Sequence, residues 1–280
     1  MQLDEIFQKL DPVIVQLVKL FEDRFNDVLE ILKIKTLIED KGGGDYTYSF
    51  DVEIEKLIFE HVKETVGEIP LKGEERRYGS SGSLFLMVDP IDGSTNAKRN
   101  FPFYGTLIAY MKGENINDTE GAVVWDIPHR RVYFAQKGLG SYIYSLINKT
   151  LIKLEIKKLD LKTRHEKLYD VTPHSPLKAI LKLGKYGKMR HIGTLGLAIC
   201  SVADQSLDLA IDISGRARMV DVVAPLLVLK EAGGHFIIEP QSPVEPNTRV
   251  FYIASWSQDL LRAVKEEIWE FRGKKEDNTH

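Results

Sequence analysis

The chain has 280 residues, 43% of them hydrophobic and 28% charged, enough apolar material for one large domain or two of ordinary size. Its net charge of −3 is too small to select a nucleic-acid or membrane partner by bulk electrostatics. The one cysteine, Cys200, excludes an intramolecular disulfide and fits a reducing compartment; within GLAICSVAD it reads as a small buried hydrophobe, with no basic neighbour to activate the thiol.

The opening segment places acids ahead of its apolar residues, unlike a signal peptide, and no apolar run reaches the length of a membrane span, so the expectation is a cytoplasmic protein. From Leu3 to about Leu32 apolar residues recur at helical spacing (Leu3, Ile6, Leu10, Val13, Leu17, Leu20, Val28, Leu32). That predicts one long amphipathic helix or two, with Pro12 in a first turn or at a kink. Residues 39–51, EDKGGGDYTYSFD, contain three successive glycines and read as a mobile loop with acids at each end. Helical periodicity resumes in VEIEKLIFEHVKETV, where His61 reads as a surface or packing residue because no histidine follows at i+4.

LFLMVD, YGTLIAYMKG, GAVVWD and RVYFAQKG then read as strands separated by turn residues, hence an antiparallel sheet. Near residue 148 the pattern changes. Residues 149–190 carry twelve Lys or Arg against four acids. Beyond them GTLGLAICSVAD, LDLAIDI, VDVVAPLLVLKEAGG and HFIIEP alternate helix-like and strand-like segments. The predicted organisation is an α+β half over 1–148 and an α/β half over 149–280. A last helix shows Leu260, Leu261, Val264, Ile268 and Phe271 as its stripe, and GKKEDNTH at the end reads as frayed.

The chemistry-bearing stretch is MVDPIDGSTN, residues 87–96. Asp89 and Asp92 close an apolar run and would repel each other unless a cation stood between them. Gly93 permits a tight turn, and Ser94 and Thr95 offer hydroxyls and backbone N–H groups at a helix start, an anion site beside a cation site. Further acids stand at element ends or beside glycine: Asp45, Asp51, Glu74, Glu75 and Asp221. All are oxygen donors with no His or Cys interleaved, which suits Mg²⁺ over Zn²⁺. Two metals about 4 Å apart beside an anion pocket is an arrangement for phosphoryl hydrolysis. A capping role for Asp92 or Ser94 is the alternative, and it leaves Asp89 unexplained.

GEE at 73–75, DPIDGSTN at 89–96, and Asp221 followed by APLLVLKEAGG resemble the inositol monophosphatase family of lithium-sensitive, Mg²⁺-dependent phosphatases, in the right order through most of the chain. The resemblance implies the αβαβα layered sandwich of the sugar phosphatase superfamily and a homodimer. It implies two or three Mg²⁺ ions, with Glu74, Asp89 and the Ile91 carbonyl on the first, Asp89, Asp92 and Asp221 on the second, and Asp51 with Glu74 near a third. Ser94 with Glu74 would orient the attacking water. Asp92, the N–H groups of Gly93 and Ser94, and Gly193, Thr194, Asp212, Arg216 and Arg218 would contact a small phosphorylated substrate.

Two departures from the family pattern stand out, the first a matter of packing and the second of the substrate pocket. Val220 stands where the family usually has Trp, and Ser214 where many members have an inositol-binding acid, with Leu195 replacing a small residue of RHIGTLG. The Asp212-then-Arg pattern is similar to archaeal relatives that act on both inositol monophosphate and fructose 1,6-bisphosphate. A 3′(2′),5′-bisphosphate nucleotidase is the alternative enzyme. A non-catalytic metal- or RNA-binding relative is the alternative of another class, although the basic segment lacks the aromatic residues of a stacking platform.

Overall fold

The computed structural model describes residues 2–42, 45–80, 82–157 and 166–273. Gly43 and Gly44, eight residues of the basic stretch (158–165) and the tail from 274 therefore lie outside the described residues.

The N-terminal periodic segment forms three helices, not one or two: α1 (Leu3–Phe7), α2 (Pro12–Asp23) and α3 (Phe25–Lys33). Asp11 explains the first break. Its Oδ1 accepts from Val13 N at 2.9 Å, and Pro12 takes the first helical position, where its missing N–H costs no bond. The segment read as a mobile loop is instead an antiparallel hairpin, β1 (Leu37–Gly42) with β2 (Asp45–Tyr48). Residues flanking the glycines carry the pairing, Glu39 opposite Thr47 and Asp40 opposite Tyr46, and the Tyr-Thr-Tyr run favours an extended chain. Helix α4 (Ser49–Thr65) follows at once, which moves Asp51 from the loop into the first turn of a helix.

Then come β3 (Leu71–Gly73), β4 (Arg77–Tyr78), β5 (Phe85–Asp92), the short helix α5 (Ser94–Arg99), β6 (Gly105–Met111), β7 (Thr119–Asp126), β8 (Arg131–Gln136), β9 (Gly140–Ser145) and β10 (Leu151–Leu154). These strands form one sheet in the order β10-β9-β8-β7-β6-β5-β3-β4, antiparallel except for the β3–β5 pair. The sheet runs past residue 148, since Leu151–Leu154 pairs with β9. The second half contributes β11 (Leu168–Val171), α6 (Leu177–Leu183), β12 (Lys188–Arg190), α7 (Leu195–Ala203), β13 (Leu209–Asp212), α8 (Met219–Glu231), β14 (His235–Glu239), β15 (Phe251–Ser255) and α9 (Gln258–Ile268). Its sheet has the order β12-β11-β13-β15-β14, with β11 parallel to both neighbours and β15 antiparallel to both of its own.

Packing stacks these elements in five layers. Helices α2 and α4 cover one face of the large sheet, while α7 and α8 cover its other face and also contact the second sheet. Helices α6 and α9 close the far side. The strongly apolar α7 and α8 are buried nearly all round, as the middle layer of a sandwich requires. On the outer face Phe21 of α2 stacks on Trp125 of β7 at 4.9 Å, both fully buried. The result is the αβαβα arrangement, an α+β layer pair joined to an α/β half.

Candidate active site

The end of β5 sets the geometry. In a regular strand Asp89 and Asp92, three apart, would face opposite sides of the sheet. The pairing of β5 with β6 shifts register between these two residues, and Thr106 Oγ1 donates to the Pro90 carbonyl at 2.8 Å within the irregularity. This bulge turns both carboxylates into one cavity of about 190 Å³. Glu74, Ile91, Gly93, Ser94, Thr95, Gly193, Arg218, Asp221, Tyr46 and Tyr48 complete its wall. Gly93 has φ +89°, and a β-carbon there would come 3.0 Å from the Phe103 carbonyl and 3.1 Å from that of Gly193. Only glycine makes this turn without strain.

Helix N-termini hold the acids in place. Asp92 accepts from Thr194 Oγ1, which also caps α7, and from Gly196 N at 2.7 Å and Leu195 N at 3.2 Å. Asp221 Oδ2 accepts from Arg218 N at 2.8 Å at the start of α8, and Asp51 Oδ2 accepts from Tyr48 N at 2.8 Å at the start of α4. Ser94 donates its hydroxyl to the Ile91 carbonyl at 2.9 Å.

Burial governs the electrostatics. It pushes the Asp89 carboxyl well above the usual range, and Glu74, Asp92 and Asp221 push the same way. Asp92 is pushed up to about 7 by burial and by Asp221, against the hydrogen bonds from Thr194 and the start of α7. Asp221 is raised by burial, which outweighs the nearby Arg218. Burial opposes the charge on Arg218, but Asp221, Glu74 and Asp89 more than compensate and raise its pKa. Its Nη1 donates to Glu74 Oε1, and its Nη2 lies 3.2 Å from Asp221 Oδ1.

A divalent cation fits this donor set. Every candidate donor is oxygen, and Asp89 Oδ1 is buried with no hydrogen-bond donor. Four carboxylates face one guanidinium, an imbalance that added positive charge relieves. Among the described residues, however, no three His, Cys, Asp or Glu side chains already converge as a cage for one ion.

The sequence-derived residues divide accordingly. Glu74, Asp89, Ile91, Asp92, Gly93, Ser94, Gly193, Arg218 and Asp221 line the cavity. Thr194 stands behind Asp92. Asp51, expected near a third metal, caps α4 outside the cavity wall. Asp212, assigned to substrate, is buried at the end of β13, where Oδ1 accepts from Ser214 N and Oγ, both at 2.7 Å; it builds the 212–216 turn. Arg216 is exposed on that turn, and the cavity wall includes neither residue.

Sequence reasoning missed Glu55, Tyr46 and Tyr48. Fully buried Glu55 accepts from Glu75 N at 2.8 Å and Arg76 N at 3.0 Å, fixing the turn that carries Glu74. Its spacing of i+4 from Asp51 on one helix face was the available signal. Tyr46 and Tyr48 lay in the segment misread as a loop, which hid their alternation onto one face of a strand.

The model of the inositol monophosphatase family matches residues 9–270. The fructose-1,6-bisphosphatase/inositol-1-monophosphatase of Methanothermobacter thermautotrophicus is 28% identical over 179 residues, 62% of this chain and 60% of the relative. The bifunctional NADP phosphatase/NAD kinase of Methanocaldococcus jannaschii is 27% identical over 257 residues, 82% of this chain but only 42% of the relative. The chain thus spans 60% and 42% of these two relatives' lengths. The crystal structure of the extragenic suppressor protein suhB from Bartonella henselae has the same fold, with a TM-score of 0.75 at 18% identity over 92% of this chain and 98% of that one.

Proposed function

The chain belongs to the inositol monophosphatase family, and on that premise we propose that it is a Mg²⁺-dependent phosphomonoesterase acting on inositol monophosphate, fructose 1,6-bisphosphate, or both. The observation that carries this reading is the convergence of Glu74, Asp89, Asp92 and Asp221 on one cavity that also holds the turn at Gly93 and the first residues of α5.

Glu74, Asp89, the Ile91 carbonyl, Asp92 and Asp221 would hold the metal. When bound, the metal supplies Lewis-acid charge and acidifies a water for attack on phosphorus. The protein's own groups do the positioning. The first-turn N–H groups at Ser94 and Thr95 have no acceptor within their helix and suit phosphoryl oxygens. The Ser94 hydroxyl spends its proton on Ile91, which leaves its lone pairs to accept from the attacking water. Glu74, across the cavity, offers the second acceptor. Thr194 and the start of α7 hold Asp92 at the cavity, where it would face the ester oxygen.

Tyr46 and Tyr48 favour a second reading, a nucleotide phosphate as substrate. Both line the cavity, and Lys98 fixes Tyr48 through its hydroxyl at 3.0 Å and over its ring at 4.8 Å. An aromatic wall suits a nucleoside better than a polyol. All four acids are in place, which favours an enzyme over a non-catalytic metal- or RNA-binding relative. The homodimer implied by the resemblance belongs to this same proposal. Among the described residues no helix is long and apolar enough to cross a membrane.

The test is phosphate release with Mg²⁺ from inositol 1-phosphate, fructose 1,6-bisphosphate, NADP and 3′-phosphoadenosine 5′-phosphate in parallel. Comparable turnover of the first two supports the sugar-phosphatase reading. Preference for either nucleotide transfers the assignment to the second reading, and release from none of them refutes both.

A further inference from the structure

We propose that Arg218 is a resident counter-cation of the carboxylate cluster, which competes with the divalent metal and must release Glu74 before the metal site can assemble. This inference rests on the metal-dependent reading above and concerns what controls occupancy of that site.

Three observations carry it. First, the guanidinium engages both carboxylates: Nη1 donates to Glu74 Oε1, and Nη2 forms an ion pair with Asp221 Oδ1 at 3.2 Å. A guanidinium paired with two carboxylates and a metal bound to the same two are alternatives, because each neutralises the same charges. Second, the pair is well enclosed, with side-chain exposures of 15% for Arg218, 10% for Glu74 and 8% for Asp221, so bulk water does little to screen it. Third, four carboxylates line the cavity and Arg218 ties two of them, so a metal that draws on those two has to displace it.

The side chain can leave without undoing the fold. Helix α8 is capped by the backbone N–H of residue 218 on Asp221 Oδ2, a bond that any side chain at 218 preserves. The released guanidinium belongs to the same cavity wall as Gly93 and Ser94. Metal entry thus frees a cation beside the place proposed for the phosphoryl group, and metal and substrate binding become cooperative.

The experiment is calorimetric titration of Mg²⁺ into the metal-free full-length protein without substrate, comparing wild type with Arg218→Gln and Arg218→Lys. Thermal melts of each, with and without Mg²⁺, accompany it. Exchange requires Arg218→Gln to bind Mg²⁺ at least about tenfold more tightly than wild type, within the usual range of coupling between two ligands. Its metal-free melting temperature should fall, and saturating Mg²⁺ should restore it. Arg218→Lys, which keeps the charge but loses the fork, should lie between the two. Equal or weaker Mg²⁺ binding by Arg218→Gln overturns the proposal, and if that variant does not fold without metal, the same comparison on Arg218→Lys decides. Absence of Mg²⁺ binding by all three proteins overturns the metal-dependent reading and the exchange with it; unchanged affinity with intact Mg²⁺-dependent turnover overturns the exchange alone.

Discussion

The carboxyl group of Glu55 occupies the space that a β-carbon on residue 73 would need: a Cβ built on Gly73 would lie 2.2 Å from Glu55 Oε1. Helix α4 thereby reaches under the turn after β3, and its carboxylate satisfies the N–H groups of Glu75 and Arg76. The hairpin adds a third tie, Thr47 Oγ1 to Glu75 Oε2 at 2.6 Å. The turn that carries Glu74 to the cavity is thus fixed by Glu55 and Thr47, which are not part of the cavity wall.

Gly73→Ala should therefore act on Glu74 indirectly. Either the turn or Glu55 must move, and a displacement of about 1 Å costs on the order of 10²-fold in rate. Glu55→Ala should lower kcat by a similar factor and destabilise the fold by about 1 kcal/mol, because the half-buried Glu75 N–H and that of Arg76 lose their acceptor. Steady-state kinetics with thermal melts check both. Wild-type turnover by Gly73→Ala would show that the contact does not position Glu74.

Asp89→Asn separates the two roles of the acid cluster. The metal-free protein should keep its fold and gain up to about 1 kcal/mol, since one of four mutually repelling carboxylates is gone. Hydrolysis should fall by 10³-fold or more as an order-of-magnitude expectation for losing a shared metal ligand. Melts in chelator and in Mg²⁺ should show a smaller metal-dependent increment than in wild type. A full increment would place the metal elsewhere.

The pH dependence of metal-free stability has a definite sign. Glu55 is raised from 4.5 to about 8, chiefly by burial, and Asp92 from 3.8 to about 7, by burial and Asp221. The folded state thus binds more protons than the unfolded chain between the two sets of values. Stability is full below pH 4, where both states are protonated, and falls as pH rises toward 8, by about 1.4 kcal/mol per pH unit for each proton involved. Melts in chelator from pH 5 to 8 should show this decline, with Mg²⁺ stabilising most at the alkaline end. Glu55→Gln should flatten the limb between 7 and 8. Rising metal-free stability over that range would contradict the assignment.

Thr194→Val tests the support behind Asp92. The variant loses the α7 cap and the hydroxyl donor to Asp92 at nearly constant volume, so about 1–2 kcal/mol of stability should go. Activity should fall less than for Asp92→Asn, because Gly196 N and Leu195 N still hold the carboxylate. Equal losses would mean that the hydroxyl acts on substrate directly.

Much of the site was legible because its signals are local. The sequence Asp-Pro-Ile-Asp-Gly-Ser names a strand end, a turn and a helix start, and the structure places β5, a left-handed Gly93 and α5 there. Long-range contacts were not legible. Asp212 reads like a pocket acid in sequence, yet it hydrogen-bonds Ser214 in its own turn and the side chain of Thr172. Arg218 reads like a phosphate ligand, yet it pairs with Glu74, 144 positions away. The pairing of β1 with β2 was hidden by the glycine run between them in sequence, which carries no strand signal of its own.

The most direct single measurement is inorganic phosphate release from fructose 1,6-bisphosphate and inositol 1-phosphate during Mg²⁺ titration, with wild type and Asp89→Asn side by side. Saturable Mg²⁺ activation, abolished by chelator and absent in Asp89→Asn, is the expected result. Metal-independent release, or an Asp89→Asn protein as active as wild type, would contradict the assignment of this carboxylate cluster as a metal-dependent phosphatase centre.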